Sequence, residues 1–317
     1  MGQRPSTRKL DGDCAFRFSN SDVHADSLGG SNLFFMRNPG WRYIRAKLTP
    51  VFTSGKMKQM FYLMNEIGTE FSKHLSGLKM SDTTRSTCIE LKDLCARYTT
   101  DVIASCAFGL KAYSIDNPNS EFRENGRGVF HFNWKRAIEF ICFFFLPEVA
   151  SFFRFKIFTV EATKFLRSSI GFAISERERT GQVRNDLIDT LVALKREDEN
   201  KVMKNKDEPL WQGDTLVAQA AVFFTAGFET SSSTISFSLF ELAWKVSLDC
   251  WIPFKDPFEF CFVFQPEIQE RLRAEIRNHL TKSGGQLTYD LVKDMEYLHM
   301  IVSGEKSSSQ KSSQKPD

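Results

Sequence analysis

The sequence has little of several features that mark common classes of protein. Tyrosine (6) and tryptophan (5) are scarce beside 31 phenylalanines, so most aromatic side chains lack a polar group and suit a dry interior or an apolar ligand cavity. The seven cysteines are odd in number and form no C-x-x-C pair. We therefore expect no disulfide framework, and reduced thiols in a protein that faces the cytosol.

Charge of one sign and long apolar runs are also lacking. The 42 Lys and Arg residues against 39 Asp and Glu residues give a net charge of +3, and no basic run is dense enough to follow a phosphate backbone, which argues against a nucleic-acid partner. The richest apolar run, residues 140–153, is interrupted by Pro147 and Glu148 and is too short to span a bilayer. We expect neither a signal peptide nor a membrane anchor in this chain.

Strand signals are scarce, whereas helical periodicity is frequent. The 42% of hydrophobic and 26% of charged residues are typical of globular proteins. Apolar residues recur every three or four positions along most of the chain, which predicts a mainly α fold. Irregular structure is predicted for residues 1–32, 111–126 and 195–208. Helices are predicted for residues 54–78, 90–108, 130–145, 160–178, 186–195, 214–244, 266–279 and 294–302.

The segment 214–244 is the most unusual of the predicted helices. It contains no proline, and its first half is apolar on almost every side, so only a large protein can bury it. Ala226, Gly227, Glu229 and Thr230 lie near its middle. A helical glycine costs about 1 kcal/mol relative to alanine, and a buried carboxylate needs a partner. These residues therefore call for a functional or packing reason.

Three motifs follow one another along the chain. They read WRYIRAKLTPVFTSGKMK at residues 41–58, ARYTTDVIASCAFG at residues 96–109 and AGFETSS at residues 226–232. Together they resemble the cytochrome P450 superfamily of haem-thiolate monooxygenases, in particular its insect microsomal branch that handles xenobiotics. The resemblance runs from about residue 33 to residue 302. It implies the central portion of that fold, with a long central helix, and without most of the sheet and the haem-ligand loop.

The resemblance also implies an activity. Members of this family insert one oxygen atom from O2 into lipophilic compounds, here xenobiotics or endogenous lipids, using haem and electrons that a partner reductase takes from NADPH. They work at the cytosolic face of the endoplasmic reticulum membrane. Residues 140–153 match the family's substrate-entrance region, which rests on that membrane, where an interfacial phenylalanine cluster is physically reasonable.

Trp41 and Arg45 are the candidate cofactor-binding residues. They are four positions apart, so on a helix they share a face, where an indole N–H and a guanidinium can donate to one carboxylate. The resemblance implies that they hold the haem propionates. The alternative is a surface tryptophan stacked on an arginine.

The candidate catalytic residues are Glu229, Thr230, Ala226 and Gly227. The resemblance implies that Glu229 and Thr230 form an acid and alcohol pair that relays protons, and that Ala226 and Gly227 leave a groove for oxygen. A locally loosened helix would free the threonine hydroxyl from its own backbone carbonyl. The alternative is a helix bend lined by Ser and Thr, with a glutamate paired for structural reasons.

The candidate substrate-binding residues are aromatic or small. The resemblance implies substrate contact for Ala221, Phe223 and Phe224, one to two turns before the catalytic motif. Phe34, in the loop before the predicted propionate helix, could line the same cavity. Core packing is the alternative for each of them, because an apolar stripe on a helix is core by default.

The chain departs from the family pattern in its last third. The family's cysteine ligand lies in an F-x-x-G-x-R-x-C-x-G loop, and neither Cys250 nor Cys261 has the required glycines or arginine. We therefore predict no metal ligand and no productive haem binding by this chain. The family's E-x-x-R pair is also missing, since Glu305 is followed three positions later by Ser308.

These departures predict an interrupted domain. Residues 1–32 form an irregular remnant, residues 33–244 and 265–303 a partial monooxygenase domain, residues 245–264 an anomalous insertion and residues 304–317 a low-complexity tail. The insertion and the tail are either translated intron or parts of a genuine isoform. Two functions stay open: part of a haem monooxygenase, or a non-enzymatic helical fragment without catalytic activity.

Overall fold

The computed structural model describes residues 26–78, 89–130, 133–201, 211–246, 262–264 and 266–303. Between its loops, this part of the chain is helical apart from one short sheet, which confirms the mainly α prediction. Its α-helices are α1 (Ser27–Ser31), α2 (Gly40–Leu48), α3 (Ser54–Ser76), α4 (Leu91–Ile103), α5 (Glu121–Phe130), α6 (Trp134–Phe145), α7 (Pro147–Phe152), α8 (Val160–Thr180), α9 (Leu187–Glu199), α10 (Asp214–Ala243), α11 (Pro266–Lys282), α12 (Tyr289–Lys293) and α13 (Glu296–Ser303).

The central helix α10 is the axis of the core. It is 30 residues long, and α4 packs along it more extensively than any other described element. Helices α1, α5 and α8 contact it as well. In its first half, every residue from Leu216 to Ala221 is buried, as the all-round apolar pattern predicted. The amide of the buried Gln219 bonds to the Leu33 N–H (2.9 Å) and the Ser31 carbonyl (2.7 Å).

Helix α4 ends in a distorted turn that meets the core. A π-helical turn over Ala104–Phe108 continues it, and Gly109 ends it with a left-handed φ of 65°, a conformation that glycine adopts readily. A Cβ at Gly109 would lie 2.6 Å from Nη2 of Arg177. That arginine forms a buried ion pair with Asp186 at 2.8 Å. Glycine therefore lets the chain turn close against a buried charge pair.

Two helices extend into segments predicted as irregular. Helix α5 begins at Glu121, inside the segment 111–126, because it has an inward face. Phe122 is buried on that face, and a Cβ at Gly126 would lie 3.1 Å from the Phe224 ring. Helix α9 continues to Glu199, into the predicted loop 195–208. Tertiary contacts decided both boundaries. Residues 202–210 lie outside the described residues.

One small sheet follows the central helix. Strand β1 (Trp244–Val246) pairs antiparallel with β2 (Phe262–Phe264), so that Trp244 lies opposite Phe264. The two strands are at the ends of the predicted insertion 245–264. Most of that insertion, residues 1–25 and the tail 304–317 lie outside the described residues, so the predicted domain boundaries stay predictions.

Candidate functional site

The middle of α10 presents an open face. Ala226 and Thr230, one helical turn apart, are both exposed. One turn earlier, Phe223 stacks on Phe52, with ring centroids 5.5 Å apart. Phe52 belongs to the 3₁₀ turn that follows α2, so this contact brings the end of α2 next to the open face. The hydroxyl of Thr230 donates to the Ala226 carbonyl. The Thr230 hydroxyl is thus bonded to its own helix, and the predicted local loosening of the helix is not seen in this conformation.

Gly227 serves a different surface from Ala226. A Cβ at Gly227 would lie 2.7 Å from Cδ1 of Ile103 on α4, closer than real side chains approach. Glycine therefore lets α10 and α4 come together. Of the two small residues expected to leave a groove, Ala226 lies on the open face, whereas the missing side chain of Gly227 is explained by helix packing.

Glu229 is held by α4. Its carboxylate forms an ion pair with Lys92 at 2.8 Å, and their side chains are 39% and 38% exposed. A carboxylate in this apolar helix was expected to be buried, and that expectation is wrong, because α10 is only half covered at this point. A second bond from α4 lies nearby: the Thr99 hydroxyl donates to the Phe228 carbonyl at 3.2 Å. Sequence reasoning missed both α4 residues, although their seven-residue spacing puts them on one face of a helix.

Trp41 and Arg45 lie on one flank of α2, as their spacing predicts. The buried face of α2 is formed by Gly40, Ile44 and Leu48, which leaves Trp41 half-buried and Arg45 exposed. No ion pair or cation–π contact joins Trp41 or Arg45 to another described residue. The stacking of the two side chains on each other, which the alternative requires, is therefore not present.

The predicted substrate residues separate into exposed and buried pairs. Phe34 is 63% exposed and packs edge-on against Phe35 at 4.9 Å, and Phe223 is half-buried. Ala221 and Phe224 are fully buried. Phe224 lies among core rings, with centroids 5.6 Å from Phe108 and 6.1 Å from Phe122. This placement favours core packing for Ala221 and Phe224 and leaves Phe34 and Phe223 available to a ligand.

Three arginines surround one carboxylate next to the site. Asp93, one residue after Lys92, pairs with Arg97, Arg123 and Arg127. Burial raises the pKa of Asp93, but hydrogen bonds and positive charge from Arg97 and Arg123 outweigh it and hold the pKa below its usual value. Burial lowers the pKa of Arg123, although its pair with Asp93 opposes the shift. The Asp93 carboxylate is therefore paired with arginines.

The described residues fit the haem that the family implies in one respect only. Trp41 and Arg45 present donors on one flank of α2, as two propionates require. Among the described residues, no cluster of metal ligands is found, and Cys95, Cys106 and Cys142 are buried free thiols. Burial raises the pKa of Cys106 to about 12, so its thiol stays protonated and is a poor ligand at neutral pH.

Comparison with known proteins identifies the family of this chain. The family described as cytochrome P450 matches residues 8–246. The chain is 45% identical over 288 residues to "Probable cytochrome P450 6g2" and 43% identical over 289 residues to "Probable cytochrome P450 6w1", both of Drosophila melanogaster. It is 39% identical over 300 residues to "Cytochrome P450 6k1" of Blattella germanica.

These alignments cover most of this chain and part of each relative. They include 90%, 90% and 89% of the chain, and 52%, 50% and 52% of the three relatives, respectively. The chain thus spans about half the length of the curated relatives that it matches. The match extends over α2, α4 and α10, the helices that carry Trp41, Lys92 and Thr230. The chain belongs to the cytochrome P450 family and is similar to its insect members.

Proposed function

We propose that this chain provides part of a haem-dependent monooxygenase that inserts one atom of O2 into lipophilic compounds, with electrons passed from NADPH by a partner reductase. The observation that carries the proposal is the open face of α10. An exposed small residue, Ala226, and an exposed hydroxyl, Thr230, lie there beside an ionisable side chain, Glu229. When bound, the haem supplies the activation of O2.

Trp41 and Arg45 would hold the haem through its propionates. The Arg45 guanidinium and the Trp41 indole N–H lie on one flank of α2 and have no described ionic or π partner, so both can donate to carboxylates. The stacked pair of Phe52 and Phe223 links the end of α2 to α10. This link supports the proposal, because it brings the end of α2 to the margin of the open face.

Glu229 and Thr230 would handle protons, and the aromatic rings would exclude water. In the present conformation Thr230 bonds to its own helix and Glu229 bonds to Lys92. Proton transfer therefore requires both side chains to exchange these partners. Phe34 and Phe223 would offer apolar contact to a lipophilic substrate, because both rings are at least partly exposed.

A membrane surface is the proposed location, at the cytosolic side of the endoplasmic reticulum. No described helix combines the length and the apolar character needed to cross a bilayer. Helices α6 and α7 nevertheless expose several large apolar side chains within 20 residues of sequence, and basic residues flank them. A cluster of this kind suits the headgroup boundary. The exposed residues are Trp134, Ile138, Ile141, Phe145, Leu146, Phe152 and Phe153.

Haem retention tests the cofactor part of the proposal. The chain is expressed with a haem supply, and bound haem is quantified for Arg45→Leu and for the matched control Arg42→Leu, which removes an exposed arginine from the same helix. Haem that is retained without a thiolate ligand should fall severalfold in Arg45→Leu and stay unchanged in Arg42→Leu. Equal amounts of bound haem in the two variants would show that Arg45 does not bind the haem.

The reduced chain with carbon monoxide tests the iron ligand. Since none of the described cysteines is an accessible thiol, we expect no thiolate-type Soret band from this chain. Such a band would contradict the prediction of no productive haem binding. If no haem is retained by any variant, the non-enzymatic alternative is favoured.

A further inference from the structure

Lys92 has an unusual set of contacts for a partly exposed lysine. Its ammonium group donates to the Glu229 carboxylate at 2.8 Å and to the hydroxyls of Ser232 and Ser233, both at 2.7 Å. It also lies 3.3 Å from the Glu229 carbonyl. An ammonium group has three protons, so these partners use its full donor capacity. All of them belong to one turn of α10.

Lys92 pairs with Glu229 and not with the adjacent Asp93. Asp93, the next residue on α4, is bound to three arginines, Arg97, Arg123 and Arg127. Among the described residues, no other acidic group forms an ion pair with Lys92, and no other basic group forms one with Glu229. The pair is therefore selective, although partly exposed pairs of this type contribute little to the stability of a fold. Its geometry matters more than its contribution to stability.

The contact also separates the two residues of the proposed proton path. Glu229 and Thr230 are neighbours in sequence, and a helix turns by about 100° between them. Lys92 draws the Glu229 carboxylate to the flank of α10 that meets α4, while the Thr230 hydroxyl stays on the open face and bonds to the Ala226 carbonyl. Each group has a partner other than its neighbour.

We propose that Lys92 is a positioning residue, which holds the carboxylate of Glu229 against α4 and keeps it off the open face of α10 until a proton is needed there. The proposal rests on the proposed function of Glu229 and adds its regulation. Release of the carboxylate from Lys92 is then a step that precedes proton delivery toward Thr230. Ser232 and Ser233 keep the ammonium group bound to α10 during that step.

A reporter thiol on the open face tests where the carboxylate lies. Thr230→Cys is introduced into the full chain after Cys14, Cys88, Cys250 and Cys261 are replaced by serine; the remaining cysteines are buried. The rate of reaction with a neutral alkylating reagent is measured from pH 6 to pH 10, because only the thiolate reacts. A carboxylate about 6 Å away in a water-like dielectric lowers the thiolate fraction about threefold.

A double-mutant cycle then separates position from charge. We expect Glu229→Gln to change the rate little while Lys92 is present, and Lys92→Met to slow the reaction about threefold only when Glu229 is present. Lys92→Arg should restore the original rate, since it keeps the cation. Lys111→Met, which removes a lysine from a separate exposed pair with Glu66, is the matched control and should have no effect.

Two results would overturn the proposal. One is an equal effect of Lys92→Met in the Glu229 and Gln backgrounds, which means that the lysine acts only as a nearby charge. The other is a full effect of Glu229→Gln while Lys92 is present, which means that the carboxylate already lies on the open face. A purely structural lysine would change the unfolding free energy but not the pH profile of the thiol. Loss of haem binding in the separate assay above would reject the proposed function and leave this result intact.

Discussion

The two halves of α10 belong to one continuous helix but have different surroundings. In the first half, Ala218, Ala220, Ala221 and Phe224 are completely covered. The one polar residue among them, Gln219, has partners at the end of α1 and just after it. From residue 225 onward, one side of the helix is open, and Phe237 is 69% exposed. The first half is covered by packing on every side, whereas the second half packs toward α4 and is exposed on its other side.

The largest expected effect is a difference in unfolding free energy between two phenylalanine substitutions in α10. Phe224→Ala leaves a cavity among the rings of Phe108, Phe122 and Phe228, so we expect it to lower the free energy of unfolding by about 3–5 kcal/mol. The matched control Phe237→Ala should change it by less than about 0.5 kcal/mol. Urea unfolding followed by circular dichroism measures both. Similar losses for the two variants would mean that the second half is covered in solution.

The buried amide of Gln219 gives the next largest effect. Gln219→Leu keeps the volume but leaves the Leu33 N–H and the Ser31 carbonyl without their partner, so we expect a loss of about 2–3 kcal/mol. Gln212→Leu, at an exposed position just before α10, is the control and should be nearly neutral. Hydrogen exchange at the Leu33 amide should accelerate only in Gln219→Leu. Unchanged protection there would contradict the assigned bond.

The π turn after α4, which packs against α10, predicts an alkaline limit to stability. Burial, together with the charge of Asp186, raises the pKa of Cys106 from 9.0 to about 12, against the opposing charge of Arg184. The unfolded chain therefore loses this proton first, and stability present below pH 9 decreases between pH 9 and pH 12, by about 1.4 kcal/mol per unit.

Unfolding free energies measured from pH 8 to pH 11 test this effect. Cys106→Ala should remove the slope that begins near pH 9. Tyr98→Phe should remove only a part above pH 10, because burial raises the pKa of Tyr98 from 10.0. A slope that persists in both variants would place the titrating group elsewhere.

The smallest expected effect concerns the contact between α10 and α4. Gly227→Ala adds a Cβ 2.7 Å from Cδ1 of Ile103, and the overlap should exceed the gain in helix propensity, for a net loss of about 1 kcal/mol. Ile103→Val removes the clashing methyl group and should rescue the variant. Gly171→Ala, in open space on α8, should instead stabilise the protein by up to about 1 kcal/mol. If Gly227→Ala stabilises the protein while Ile103 is unchanged, the contact between α10 and α4 does not require a glycine at this position.

Local patterns predicted the helices well and their ends less well. The spacing of apolar residues located α3, α8 and α10, because this signal lies within each element itself. Most of α5 was missed, since residues 111–126 were predicted as irregular and its inward face is recognisable only when the rings of Phe224 and Phe228 are in place. Helix α9 likewise extends beyond its predicted end at residue 195, where Lys195 is bound to Glu178 on α8.

The candidate site was predicted as a set of residues but not as an arrangement. Trp41 and Arg45 share a flank of α2, and Ala226 and Thr230 share the open face of α10, because helical periodicity alone decides such pairs. Lys92, Thr99 and Phe52 were missed. Each reaches α10 from a distant part of the sequence, and no spacing rule connects residues that are more than a hundred positions apart.

The order of residues was enough to establish a mainly α chain, its long central helix and the motifs of the cytochrome P450 family, since these depend on periodicity and local residue identity. Tertiary contacts decided what each residue of the AGFET motif does. Gly227 packs on Ile103, Glu229 is bound by Lys92 and Thr230 stays on the open face. Consecutive residues of a helix point in different directions, and only the packing of α4 determines which of those directions is covered.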